Sequence, residues 1–347
     1  MSTQRFSGWN WFKQKSRRRQ KQYNGGNLFE FGGRRRRHHT RKNKWRVKKH
    51  CSPIVEGQTA LPYTCYTKDI LFKLRNRWNQ RHSDAKITTN QPHEIWKQLK
   101  INMENVCDEE KCWINQNFVD KTTKKEIKEI AFVPEAPKEW KLNPNTWLNS
   151  LDITKVMKQY EKRYKCFRFI GPSPIDFDSR YMDTDQCVWE ELCKFSLDKY
   201  IDKGVNKIGM IFNLDKHTQP GSHWVSLFIK WNKNAAKKHA AGGGDGGNRH
   251  DDNFIFYFNS TGASIPPELD KLCKRIMDQG KQHNIVFHFD QNKKEHQKEN
   301  TECGMYSLFF IITMLKDQAN INYFKHDNIP DKEMEKFRKV YFSGGKK

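Results

Sequence analysis

The sequence contains no apolar run of about 18 residues, the least that crosses a membrane as a helix, and its first residues lack the apolar stretch of a secretory leader. Both absences lead us to expect a soluble, intracellular protein. Acids are almost missing from the first fifty residues, where Glu30 stands alone among arginine and lysine blocks. No segment recurs with a period of about 20–50 residues, which argues against a solenoid or propeller. Cysteine is not scarce, at nine residues, but the number is odd. The spacings follow neither a small disulfide scaffold nor a four-ligand zinc pattern. Free thiols in a reducing compartment, with no metal or other cofactor, are the expectation.

What the chain does have is positive charge, +24 in all with a pI near 9.6. Much of it lies in "SRRRQ", with Arg17, Arg18 and Arg19, and in "GGRRRRHHT", with Arg34, Arg35, Arg36 and Arg37. Such blocks release counterions from a polyanion, so DNA or another polyanion is a candidate partner of the arm. Residues 1–58 mix these blocks with glycine pairs and scattered aromatics, a composition that buries too little apolar surface to fold, and they read as a disordered basic arm. Residues 59–138 turn helical, with Ile70, Leu71, Leu74 and Trp78 on one face and Ile95, Trp96 and Leu99 on another. "FVPEAPKEW" interrupts that pattern and predicts a boundary, leaving 139–347 as a separate domain.

The last segment alternates helices and strands. Asn145 or Thr146 is placed to cap a helix carrying Leu148, Leu151, Ile153, Val156 and Tyr160. "CFRFIGPSPIDF" reads as a strand, and "CVWEELCKFSLDKYIDKG" as one helix closed by Gly204. Strands are predicted at 207–214, 223–231, 253–259 and 284–289, a helix at 266–279, and a flexible glycine-rich insertion between 232 and 253. From Gly304, "MYSLFFIITML" is apolar on all sides and predicts a buried helix. The fold class is α+β: a central mixed sheet flanked by helices, with a helical N-terminal accessory region.

Cys303 sits where this helix begins. Unpaired N–H groups at a helix start favour negative charge, so the thiol should be acidified and the same N–H groups can face an oxyanion. Gly304 should leave room for a substrate chain beside the sulfur. A cysteine nucleophile needs an imidazole, and the imidazole needs a third group. "GSHWVSLFIKW" puts His223 at the mouth of one strand, and "FYFNSTG" puts Asn259 at the exit of the next. Antiparallel pairing of the two strands makes them neighbours. Gln297, six positions before Cys303, offers a side-chain donor to the oxyanion.

"GSHWVSLFI", "YFNSTG", "Q-x5-C-G" and "TWLNSLDI", in this order of site residues, resemble the ubiquitin-like-protein (SUMO) protease and adenovirus-type cysteine protease superfamily. The likeness is strongest to maturation proteases of large nucleocytoplasmic DNA viruses and covers about residues 145–317. It implies Cys303 as nucleophile, His223 as general base, Asn259 as orienting group and Gln297 as oxyanion donor. Trp224 and Trp147 match tryptophans that enclose a Gly-Gly stretch in SUMO proteases. Most cellular members carry Asp where this chain has Asn259.

The implied activity is endopeptidase cleavage after Gly-Gly in viral structural polyproteins or core precursors, through a thioester, at the host-cytoplasmic assembly site and in the virion. The rival readings are an isopeptidase removing a ubiquitin-like modifier from host conjugates, and a non-catalytic basic nucleic-acid-binding virion protein. The chain's own glycine pairs, Gly25-Gly26, Gly32-Gly33, Gly246-Gly247 and Gly344-Gly345, are candidate self-cleavage points, though such pairs are also common in linkers.

Overall fold

A computed structural model describes residues 50–53, 59–107, 109–181, 184–232 and 253–344. The arginine blocks of the arm, the glycine-rich insertion and all the glycine pairs except Gly344 lie outside these residues. Five strands form one sheet: β1 (Phe167–Pro174), β2 (Lys207–Asn213), β3 (Trp224–Lys230), β4 (Phe254–Phe258) and β5 (His288–Gln291), side by side in that order. The outer pairs are parallel and the inner two pairs antiparallel, so the sheet is mixed. Strands β2, β3 and β4 are buried on both faces, which is why they read as nearly continuous apolar runs rather than alternating ones.

The two faces of the sheet carry different cores. Ile208, Met210, Phe212, Val225, Leu227 and Ile229 face a cluster that includes Leu269, Leu272 and Ile276 of the helix Pro267–Gln282. The opposite face carries Gly209, Ser226, Phe228, Phe256 and Phe258 and is covered by the helix Cys303–Leu315, every residue of which is buried. Phe310 of that helix packs on Phe256 and Phe258 with ring centroids 5.7 and 4.8 Å apart. Gly209 permits the close approach, since a Cβ there would meet Ile311 Cγ2 at 2.7 Å. At the far end of the helix, Lys207 donates to the carbonyl of Leu315 at 3.0 Å and to Asp317 at 2.6 Å, a cation closing the negative pole of the dipole.

N-terminal to the sheet lie the helices Lys68–Arg81, Pro92–Met103, Glu110–Trp113 and Lys121–Ala131, with their own core of Ile70, Leu71, Leu74, Trp78, Ile95 and Leu99 among others. Ser343 ties this region to the C-terminus: its N–H donates to the Pro134 carbonyl, and its own carbonyl accepts from Ala136, both at 2.8 Å. No described helix is long and apolar enough to cross a membrane.

Several expectations need correction. Six of the nine cysteines pair, as Cys51–Cys65, Cys107–Cys112 and Cys187–Cys193. Folding brings partners 14, 5 and 6 positions apart to Cα separations of 5.0, 5.6 and 6.3 Å, so the argument for a reducing compartment falls. Asn149, not Asn145 or Thr146, caps the helix Ser150–Arg163, through a capping box with Asp152. The single helix expected over 187–204 is two short ones, Glu190–Cys193 and Asp198–Ile201. Gln279 breaks it by accepting from Leu197 N–H (2.7 Å) and donating to the Phe195 carbonyl (2.9 Å), bonds that compete with helical ones. The last strand starts only at His288: the chain turns at Asn284, whose φ is +57°, and Ile285 and Phe287 pack into the core ahead of the first ladder pair.

Gly209→Ala should cost about 1–3 kcal/mol by forcing Ile311 off its seat. Adding Ile311→Leu, which removes the Cγ2 branch, should recover part of that loss in urea unfolding. A neutral single variant would mean that the helix does not lie this close to the sheet.

Candidate active site

Cys303 is the first residue of the buried helix and is only 1 % exposed. Burial pushes its thiol above the ordinary cysteine value. The backbone N–H groups of Trp224, Gly304 and Cys303 pull the other way, and the Glu302 carboxylate adds to the rise. The expected acidification by the helix start is therefore present but outweighed: a thiol loses more on leaving water than one helix turn returns. Burial thus favours the neutral thiol.

His223 immediately precedes β3 and Asn259 immediately follows β4. Their antiparallel register, with Ser226 opposite Phe258, brings these strand ends together. His223 Nε2 lies 2.8 Å from Asn259 Oδ1. Which atom of the amide faces the ring is fixed by its other neighbours. Oδ1 also accepts from the Thr261 N–H (3.0 Å) and hydroxyl (2.9 Å), and a backbone N–H has no alternative to donating. Nδ2 points to the Tyr257 hydroxyl at 3.3 Å. The atom facing His223 is thus an oxygen, so Nε2 carries the proton and Nδ1 keeps its lone pair. Burial holds the ring below the ordinary histidine value, and the Asn259 hydrogen bond partly opposes this. A neutral imidazole with Nδ1 unprotonated is a competent base.

The Asn259 backbone is held as firmly as its side chain. Asn292, fully buried, accepts from Asn259 N–H at 2.9 Å and donates to its carbonyl at 2.7 Å, extending the edge of the sheet with a side-chain amide. Gln297 lies beside the same turn. Its Oε1 accepts from the Ser260 hydroxyl at 2.7 Å, its N–H donates to the Ser260 carbonyl, and its Nε2 donates to the Glu299 carbonyl. This arrangement commits one of the two Nε2 hydrogens and ties Gln297 to the Asn259–Thr261 turn.

Trp224 follows His223 and is nearly buried, its indole N–H donating to the Leu148 carbonyl at 2.9 Å. Trp147 is 40 % exposed and, with Trp224, Pro172, Trp189, His217 and Gly221, lines a groove of ≈ 580 Å³. Gly304 does not open onto free space as expected. A Cβ there would meet Leu148 Cβ at 3.1 Å and Trp224 Cδ1 at 3.3 Å, so glycine is needed for close packing under the groove wall.

Five positions that sequence reasoning passed over complete the site. Asn292, Thr261 and Tyr257 hydrogen-bond to Asn259 or its turn, and the Glu302–Arg338 ion pair lies behind Cys303 with both side chains buried. No local signal marks Asn292, whose partner is 33 residues away. The charge before Cys303 was visible in the sequence, but its partner in the last helix was not.

Alkylation of Cys303 by iodoacetamide should rise with pH through an inflection above the ordinary thiol value of about 8.5. The sign follows from burial, since a raised pKa withholds thiolate until higher pH. Subtracting the Cys303→Ala protein removes the signal of Cys166 and Cys273, the other free thiols among the described residues. Reactivity persisting to about pH 5 would instead reveal a preformed thiolate–imidazolium pair.

Comparisons with known proteins agree with this geometry. The family model described as "Ulp1 protease family, C-terminal catalytic domain" matches residues 144–343. A putative thiol protease of Acanthamoeba polyphaga mimivirus is 28 % identical over 301 residues, covering 80 % of this chain and 89 % of the relative. A cysteine protease of African swine fever virus is 28 % identical over 249 residues, covering 68 % and 83 %. Counterparts from other isolates of that virus are named SUMO-1 cysteine proteases. The crystal structure of the African swine fever virus protease shares the fold, with a TM-score of 0.54 at 22 % identity over 86 % of this chain and 98 % of that one. The mixed five-stranded sheet, the cysteine opening a buried helix and the family match lead to one conclusion: the chain belongs to the Ulp1 protease family and is a cysteine peptidase.

Proposed function

We propose that this peptidase cleaves the bond after a Gly-Gly pair in viral structural polyproteins or core precursors, by way of a thioester on Cys303. The observation that carries the reading is the amide of Asn259, held so that His223 presents an unprotonated Nδ1. His223 takes the thiol proton as sulfur attacks the carbonyl carbon, since burial favours the neutral thiol. The imidazolium then protonates the leaving amine, and water hydrolyses the thioester with the same base. The N–H of Cys303 and the uncommitted Nε2 hydrogen of Gln297 serve the oxyanion. Gly-Gly selectivity is supported by the tight seat of Leu148 and Trp224 against Gly304, which leaves little width beside the nucleophile.

The alternative substrate, a conjugate of a ubiquitin-like modifier, uses the same residues and is favoured by the naming of the swine fever virus relatives. The arm belongs to the proposal as well. Arg17–Arg19 and Arg34–Arg37 suit retention on packaged DNA or another polyanion, in the assembling particle within the host cytoplasm and in the virion, with affinity falling steeply as salt rises.

A Gly-Gly-X peptide and a fluorogenic SUMO conjugate, assayed in parallel, separate the readings. Peptide cleavage lost by about 10⁴-fold or more in Cys303→Ala supports the first. Turnover of the conjugate alone would transfer the assignment to the second. Asn259→Ala should cost about 10²–10⁴ in kcat by releasing the tautomer. Asn259→Asp should stay active, and its acid limb should move to higher pH because a carboxylate favours the imidazolium and keeps the base protonated longer.

A further inference from the structure

The residue before the nucleophile poses a physical problem. Glu302 is 1 % exposed, makes no side-chain cap for the helix it precedes, and by its charge opposes the thiolate that catalysis has to form. Arg338, 5 % exposed in the helix Asp331–Tyr341, removes that charge with a fork of bonds: Nε lies 3.0 and 2.9 Å from the two carboxylate oxygens, and Nη2 lies 2.9 Å from Oε1. Electrostatically the pair returns the site to neutrality. Its geometry does more.

The same guanidinium donates to the carbonyls of Thr146 (2.9 Å), Pro144 (3.3 Å) and Thr301 (3.2 Å), and lies 4.4 Å from the ring centroid of Trp140. Thr146 directly precedes Trp147 and Leu148. Trp147 lines the groove, while Leu148 packs on Gly304 and accepts the indole proton of Trp224. One planar cation therefore grips the turn that carries Cys303 and the strap that forms the groove wall. From its own first turn this helix also holds the loop ahead of Cys303, with Asp331 accepting from the N–H groups of Lys298 (2.9 Å) and Glu299 (3.0 Å).

We infer that Arg338, through Glu302 and the Thr146 carbonyl, is a positioning residue that sets the Trp147–Leu148 groove wall against the Cys303 turn and so determines how tightly the substrate chain is held. The inference rests on the reading of that groove as the substrate site. It assigns the C-terminal helix a part in substrate binding although none of its residues lines the groove.

Arg338→Lys is the discriminating variant, because it keeps the charge that neutralises Glu302 and removes the fork. Hydrogen exchange measured without substrate should show amides of 145–149 and 301–304 exchanging at least about tenfold faster, with those of β2–β4 unchanged. KM for a Gly-Gly peptide should rise about tenfold with kcat within about twofold, and the alkylation inflection of Cys303 should stay in place. Unaltered exchange and KM, or a loss confined to kcat with a displaced inflection, would overturn the inference, since the pair would then act on the thiol's charge or not at all. Should Arg338→Lys fail to fold, Trp140→Leu is read by the same criteria, because it removes both the ring under the guanidinium and a second donor to the Thr146 carbonyl. The exchange result is independent of substrate. A wild-type enzyme that labels at Cys303 yet cleaves no Gly-Gly peptide would therefore count against the proposed specificity alone.

Discussion

Burial of a wholly apolar helix across β2, β3 and β4 is the constraint on which the site depends. The helix Cys303–Leu315 has no solvent face, so its register on the sheet is fixed by side-chain packing from end to end. Gly209 sets its height at Ile311, the stack of Phe310 on Phe258 fixes its rotation, and Lys207 closes its last turn. Once those contacts are made, the position of the first residue is no longer free. Cys303 arrives beside the start of β3 because the helix that carries it has nowhere else to go. The same burial withdraws the thiol from water, so the constraint that positions Cys303 also makes it a weaker acid.

That cost is met by polar groups with few alternatives. Asn259 makes hydrogen bonds through its N–H, its carbonyl, Oδ1 and Nδ2, to Asn292, Thr261, Tyr257 and His223. In a site of low dielectric each unsatisfied partner would cost about 1–3 kcal/mol, so any alternative orientation of the amide is opposed by several bonds at once. An aspartate would bring charge. The amide brings definition, keeping Nδ1 free while raising the basicity of the ring less than a carboxylate would.

Much of this was legible in the chain because the chemistry sits at element ends, which sequence marks well. The runs "KIGMIFN", "WVSLFIK" and "FIFYF" announce buried strands, and His223 and Asn259 fall at ends that pair in register. The cysteine helix is the longest apolar stretch near a glycine. What stayed hidden depends on partners far away in sequence. Gln279 splits a helix more than 80 positions before it, and Arg338 answers Glu302 across 36 positions and Thr146 across 192. Gly304 was read as open space because a glycine in sequence does not disclose whether a ligand or a neighbouring side chain occupies its missing Cβ.

Burial favours the neutral forms of both Cys303 and His223, with a consequence for how the site handles charge. In a preformed thiolate–imidazolium pair, separation of charge precedes binding. Here the groups around Cys303 and His223 sum to neutrality: the imidazole is backed by an amide, and Glu302 is matched by Arg338. In the proposed reaction charge develops when a carbonyl occupies the site and excludes water, which is when N–H dipoles act most strongly. On that proposal the barrier includes the proton transfer, and the N–H groups of Trp224, Gly304 and Cys303, which favour the thiolate, are placed to stabilise negative charge on sulfur. In such a site the rate depends less on how acidic the thiol is than on how closely the groove wall, the cysteine turn and the imidazole are held together.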